Sequence, residues 1–214
     1  VHGFINVGGI KMSNSLVNGV GPADIIPHYG VEAFRYYFLR HVPTQDDGDF
    51  TWEKFEAAYN GELGNDLGNL VQRVAKMVQS YQAGVIGDAP QAEHDMGPYR
   101  QAMEGFMFDQ AMDEIWRIIR TLNQYIERVQ PWQVAKNRDK DPEAEAHLGE
   151  ILAHACGALL QVSDMLRPFM PQTAEKIHEM FASGVVPSEL TPLFPRKYLH
   201  TPDPRAPKVE AQGK

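Results

Sequence analysis

A single cysteine, Cys156, stands in the 214 residues, which excludes a disulfide framework and any multi-cysteine zinc knuckle. Long apolar runs are missing as well: no window approaches eighteen consecutive apolar residues, so no membrane-spanning helix is predicted. The chain opens at Val1 with neither a Met nor a basic stretch ahead of it, so no signal peptide is predicted and a cytoplasmic protein is expected. Its abrupt entry into a strand-like segment predicts a piece of something longer. Positive charge is scarce, because 20 Lys and Arg face 28 Asp and Glu, for a formal charge of -8. That balance argues against holding nucleic acid by a general positive field; any RNA contact has to come from local patches. The eight histidines show no ligand spacing, and His154 and Cys156, two apart in one helix, face different ways, so no metal is expected. What remains, 43% hydrophobic and 22% charged, is the composition of a folded globular chain with room for one ordinary domain or two small ones.

The order of residues predicts a mainly α protein, an antiparallel helix bundle preceded by a short strand and a loop. Residues 1–7 alternate loosely in the β style before Gly8-Gly9 interrupts them, and a polar, Gly-containing loop runs from Lys11 to Pro22. Two short helices follow, with a break around Tyr29-Gly30 and an end near His41. Pro43 to Asp49 reads as a turn, and Thr51 as the N-cap of another helix beginning at Trp52-Glu53. Three long amphipathic segments then carry the bundle. Their apolar stripes are Leu63, Leu67, Leu70, Val71, Val74, Met77, Val78, Tyr81; then Phe108 through Val129; then Leu148 through Leu166, all at spacings of three and four. A fourth helix follows Pro171, and Trp52 and Trp116 are assigned to the core or its edge. The Pro-rich end, from Thr201, is expected to be disordered.

Gly8-Gly9-Ile10-Lys11-Met12-Ser13-Asn14-Ser15 is the first candidate for chemistry, because glycines let backbone amides and a Lys approach phosphates closely. On these residues alone a plain surface turn is the other reading. Asn65, Asn69 and Arg73 recur at i, i+4 and i+8, away from the buried stripe, where amides and a guanidinium can read an unpaired base; locally paired, solvated helix residues are the alternative. Pro131-Trp132 offers a stacking platform at a helix end, or a lid on the end of the bundle. Six basic residues (Arg117, Arg120, Arg128, Lys136, Arg138, Lys140) against Glu127 and Asp139 supply a local positive excess, or an ordinary solvated face.

Taken together, Gly-x-Lys-Met-Ser-x-Ser-Leu-x-Asn followed by Tyr29-Gly30-Val31-Glu32-Ala33-Phe34-Arg35-Tyr36-Tyr37 resembles the Lys-Met-Ser-Lys-Ser loop region of class I aminoacyl-tRNA synthetases. Val42-Pro43, Asp47-Gly48-Asp49-Phe50, Glu62-Leu63-Gly64-Asn65-Asp66-Leu67-Gly68-Asn69-Leu70-Val71-Gln72-Arg73, Gln130-Pro131-Trp132-Gln133-Val134-Ala135-Lys136 and Leu166-Arg167-Pro168-Phe169-Met170-Pro171 are similar to the methionyl-tRNA synthetase family. The resemblance runs from residue 1 to about Arg196.

It implies four parts. Residues 1–22 are the end of a catalytic domain with its signature loop, 23–60 stem-contact helices, 61–196 the anticodon-binding bundle, and 197–214 a disordered tail. It implies a parent methionine-tRNA ligase that activates methionine with ATP and Mg²⁺ and passes it to tRNA(Met), with no cofactor expected on this part alone. The nucleotide fold that precedes these parts in the family, with its His-Ile-Gly-His signature, methionine pocket and zinc-bearing insertion, has no counterpart in this sequence. The missing N-terminal catalytic domain and the tRNA anticodon stem-loop are therefore the expected partners, and this chain alone is expected to be inactive. By the same resemblance Lys11, Ser13 and Ser15 face the ATP phosphates, while Asn14 stands where the family has a second Lys. Asn69, Arg73, Pro131 and Trp132 contact the anticodon, and Asn65 joins them by position alone. A free-standing tRNA-binding module without catalysis, or a helical interaction domain, are the alternatives.

Overall fold

Gly8 and Gly9 both take positive φ, 59° and 79°, which only glycine adopts freely and which closes a two-residue hairpin. The hairpin joins β1 (Ile5–Val7) to β2 (Ile10–Lys11). A third strand, β3 (Gly48–Phe50), runs parallel to β1 with Ile5 opposite Gly48 and Val7 opposite Phe50. The turn expected over Pro43–Asp49 therefore gives way to a strand at its end, because Gly48 and Asp49 find a partner forty residues back that no local pattern announces. The computed structural model describes residues 5–11, 20–43, 46–87, 94–138 and 140–202, with the backbone only at Ile10 and Lys11. Met12, Ser13, Asn14 and Ser15 lie outside the described residues, and so does the tail from 203 on.

Helices α1 (Pro22–Tyr29) and α2 (Val31–Arg40) meet at Gly30, whose φ of 86° makes the expected break. Thr51 caps α3 (Trp52–Ala58) through Lys54 N–H at 3.2 Å, as expected. The next ten residues, Tyr59–Gly68, are wound as a π-helix before α4 (Asn69–Gln82) resumes the ordinary pitch. The amide of Asn69 reaches back five residues to the Gly64 carbonyl. Gly68 suits the wider turn, since a Cβ there would stand 3.1 Å from the Leu63 carbonyl oxygen. An α-helical stripe beginning at Leu63 was expected; π winding replaces its first turn.

The bundle proper adds α5 (Gly97–Glu104), α6 (Phe108–Val129), α7 (Pro131–Lys136), α8 (Ala144–Leu166) and α9 (Pro171–Phe181). Leu67, Val71 and Val74, Ile115, Ile119 and Ile126, and Leu152, Leu159 and Leu166 are fully buried against one another, each contributing about 1.5–3 kcal/mol by burial. Trp116 is in that core and Trp52 at its edge. Neither α5 nor α7 was singled out from the sequence; both are short, and α7 exists because Gln130, at φ 48°, turns the chain and Pro131 restarts it.

Helix α2 fastens this bundle to the first two helices. Glu32 accepts from Gln172 N–H (2.6 Å), Thr173 N–H (3.0 Å) and the Thr173 hydroxyl (2.6 Å), so one carboxylate caps the start of α9 from outside. One turn on, Arg35 donates to the carbonyls of Phe169 (2.7 Å) and Pro168 (2.9 Å), beyond the end of α8. The segment expected to begin a disordered tail is likewise fastened over residues 197–202. Leu199, His200 and Thr201 give their amides to the buried Glu56 carboxylate at 2.8–3.0 Å, and the His200 ring stacks on Trp52 with centroids 3.5 Å apart. The expectation rested on composition, and a buried acceptor that needed donors overrode it.

Candidate nucleic-acid interface

Asn69, Gln72, Arg73, Lys76, Met77, Ser80 and Tyr81 project from one side of α4 and line an open groove of about 330 Å³. Two of the residues picked out from the sequence, Asn69 and Arg73, are therefore together in a concave, water-accessible place. Its cations are Arg73 and the exposed Lys76, and none of its lining residues is acidic.

Arg73 is held from across the bundle by residues that sequence spacing missed. Its Nη1 donates to Glu127 Oε1 at 2.5 Å and its Nη2 to Asn123 Oδ1 at 2.9 Å, both on α6. Asn123 turns its amide nitrogen to the carbonyls of Asp66 (3.1 Å) and Ile119 (3.2 Å), so its oxygen is left for Arg73. Fifty residues separate these partners from Arg73, and an Asn and a Glu on an exposed helix flank carry no local signal. The pair with Glu127 is open to water, at 34% and 61% side-chain exposure, and adds little stability. It aims the guanidinium without consuming all five of its donors.

Asn65 and Asn69 are exposed, as expected, but π winding rather than α spacing relates them, and Asn69 Nδ2 donates to Asn65 Oδ1 at 3.2 Å. Asn65 also accepts a bond from Arg196, which sequence reading did not connect with it. The π-helix that carries Asn65 is pinned on its other side. Glu62 takes His41 (2.8 Å), Arg40 (3.1 Å) and Tyr36, and although burial pushes its carboxyl up, these bonds and the Arg40 charge hold it below the ordinary glutamate range. The Arg40 guanidinium lies over the Trp116 ring, 4.5 Å from its centroid. Asn60 bonds both ways to Lys197, to its backbone N–H at 2.9 Å and its carbonyl at 2.7 Å.

Pro131 is buried and Trp132 half-buried in the first turn of α7, packed against the core. Trp132 does not line the α4 groove. Helix α7 packs between α8 and α4, and just beyond it Arg138 donates to the carbonyl of Tyr81 and pairs with Glu145 at 2.9 Å. Of the other basic residues, Arg117 pairs with Glu114 (2.7 Å), Arg128 lies against the Tyr125 ring, and Arg120, Lys136 and Lys140 are exposed. The expected cluster is thus partly neutralised. His154 packs its ring on Tyr125 (4.9 Å), while burial pushes the Cys156 thiol up to about 12. Among the described residues no group of three or more His, Cys, Asp or Glu could hold a metal ion, and no helix is long and apolar enough to cross a membrane.

At the other end of the chain Asp49 accepts from Gly9 N–H (2.9 Å) and Lys54 Nζ (2.6 Å), which hold its carboxyl below the ordinary range, Lys54 most of all. This ties β3 to the hairpin that ends at Lys11.

Known proteins align with this arrangement along nearly its whole length. Residues 1–75 match the family profile for class I tRNA synthetases (M), and residues 97–207 the anticodon-binding domain of tRNA ligase. The methionine--tRNA ligase of Streptomyces coelicolor is 40% identical over 199 residues, covering 87% of this chain and 36% of that protein. That of Bacillus subtilis is 36% identical, covering 83% and 28%. Among solved structures, Mycobacterium tuberculosis methionyl-tRNA synthetase bound by methionyl-adenylate superposes with a TM-score of 0.82 at 26% identity, over 91% of this chain and 43% of that one. The chain spans about a third of the length of the curated relatives it matches. A helical bundle with an anticodon-binding profile over more than half of its residues, joined to a class I synthetase segment, belongs to the methionyl-tRNA synthetase family.

Proposed function

We propose that this chain supplies the anticodon-reading part of a cytoplasmic methionine-tRNA ligase, together with the loop that meets ATP. The observation that carries the reading is the α4 groove, where Asn69 and Arg73 stand side by side, aimed by partners yet open to water. Flat amide and guanidinium groups in that setting suit the edge of an unpaired base. Trp132, anchored through Pro131 and half-exposed, is the aromatic face on which a base stacks. The RNA so read is the anticodon stem-loop of a methionine tRNA, and residues 61–196 form the reading domain, with 23–60 as the stem-contact helices before it.

For the chemistry, Lys11, Ser13 and Ser15 would meet the phosphates of ATP while methionine's carboxylate attacks the α-phosphorus, the α–β anhydride bond breaks and pyrophosphate leaves. The chain's own contribution is the Lys11 cation and the Ser13 and Ser15 hydroxyls, and a Mg²⁺ ion bound with the nucleotide would supply further charge neutralisation. With Asn14 in place of a Lys, the loop carries one charge fewer. The 214-residue polypeptide alone should show no methionine-dependent pyrophosphate exchange above a Lys11→Ala control, since by the resemblance the methionine pocket belongs to the nucleotide fold and not to this stretch.

The deciding experiment titrates fluorescent stem-loops at fixed salt. A CAU loop binds, an altered anticodon binds roughly ten to a hundred times more weakly, and Trp132→Ala loses a similar factor on the cognate loop, as removal of one stacked base predicts. Equal affinity for cognate and altered loops would overturn the reading.

A further inference from the structure

The Asn69 side-chain amide, in the groove, is linked through Asn65 to Arg196, a residue outside it. A guanidinium only donates, so the Asn65 atom that meets Arg196 has to be its oxygen. The same oxygen meets the Asn69 amide at 3.2 Å, so Asn69 must present its NH₂ group there. The two atoms of a carboxamide point opposite ways, which leaves the Asn69 oxygen as the acceptor available to the groove. We propose that Arg196 is a positioning residue for specificity: through Asn65 it fixes Asn69 as a hydrogen-bond acceptor toward the RNA base, beside the donors of Arg73.

This deepens the anticodon reading and rests on it. An acceptor flanked by donors complements the edge of cytosine or adenine, where an amino donor adjoins a ring nitrogen acceptor. It opposes uracil and guanine, which put a keto oxygen in the amino position. The arrangement matters because an unanchored Asn can rotate its amide by half a turn and accept either kind of base, whereas a one-way chain of donors cannot reverse. The anchor is also remote in sequence. Arg196 belongs to the segment leading into residues 197–202, which Asn60 and Glu56 hold down, so the fastening of that segment and the polarity of the groove are one structural arrangement.

The test compares a CAU stem-loop with its two transitions, cytosine to uracil and adenine to guanine, each of which replaces an amino donor by a keto acceptor. The unmutated protein should disfavour at least one transition by about tenfold or more, the worth of a good base contact. Arg196→Ala should bring that ratio to about threefold or less, chiefly by binding the keto-bearing loop better, while Arg196→Lys, still a pure donor, should keep it. A ratio unchanged in Arg196→Ala, or an equal loss for all loops, would overturn the proposal. Should the unmutated protein fail to discriminate at all, the anticodon reading falls, and the polarity is judged without RNA. The Asn69 side-chain NH₂ signals in a ¹⁵N–¹H spectrum should move on Arg196→Ala and stay in Arg196→Lys; unmoved signals in both would refute it.

Discussion

Buried carboxylates and exposed amides divide this molecule into two regions that use polar groups in opposite ways. Around α1–α3, Glu32 and Glu56 are buried and Glu62 is half-buried beside them, with donors arranged around each, including two or three backbone amides apiece for the first two. In and beside the α4 groove, the side chains of Asn65, Asn69 and Arg73 bond, among the described residues, to other side chains at the surface, and their hydrogen-bonding capacity is not all used. A polar group wholly consumed inside the fold holds it together, because losing a partner leaves a buried charge or donor stranded. A polar group aimed but unconsumed can be handed to a ligand at small cost.

The sharpest test of that division is Glu32→Ala, which strips the start of α9 of three bonds at a buried place. Stability should fall by about 2–4 kcal/mol, read from urea midpoints, while affinity for the CAU stem-loop stays within about twofold. A large loss of RNA affinity in the folded variant would erase the distinction.

The mirror experiment is Arg73→Ala. RNA affinity should fall by roughly ten- to a hundredfold, about 1–3 kcal/mol, and stability by less than about 1 kcal/mol, since its ion pair with Glu127 is exposed.

Acid titration separates the regions in another way. Burial pushes the Glu56 carboxyl up, but Thr201, Tyr29 and the amides of His200 and Leu199 outweigh it and hold it below the ordinary value. Its folded pKa is thus depressed, so its stabilising contribution is complete above the unfolded value near pH ~4.3 and is lost as pH falls through the folded one. Trp52 fluorescence should report the His200 ring leaving in that acidic window, and Glu56→Gln should remove the acid step. A step that persists unchanged in Glu56→Gln would show that this carboxylate does not hold the segment.

The smallest effect belongs to Arg120, exposed on α6 outside the groove. Arg120→Ala should weaken all stem-loops alike by a few-fold and reduce the salt slope by about one at most, without touching anticodon preference.

Much of the bundle was legible from sequence because a helix advertises itself locally. The stripe from Phe108 to Val129 became α6 over those same residues, and Pro171 and Thr51 marked helix starts with their own backbone chemistry. The break at Gly30 was readable for the same reason. In the groove, Asn69 and Arg73 could be picked out as exposed and near each other, since both lie on one helix. Asn123, Glu127 and Arg196, which aim them, could not: each sits 50 or more residues away and looks like any surface residue until the bundle closes.

Sequence alone therefore determined where helices form, which faces they bury and which family's motifs the chain carries, because propensity, capping and periodicity act within a few residues. Tertiary structure alone decided the π winding of Tyr59–Gly68, the pairing of Gly48–Phe50 with Ile5–Val7 and the docking of residues 197–202. Each satisfies hydrogen-bonding groups whose partners lie far along the chain. A buried Glu56 or an unpaired β1 edge exerts its pull only once packing has excluded water from it, and no residue's immediate neighbours record that event.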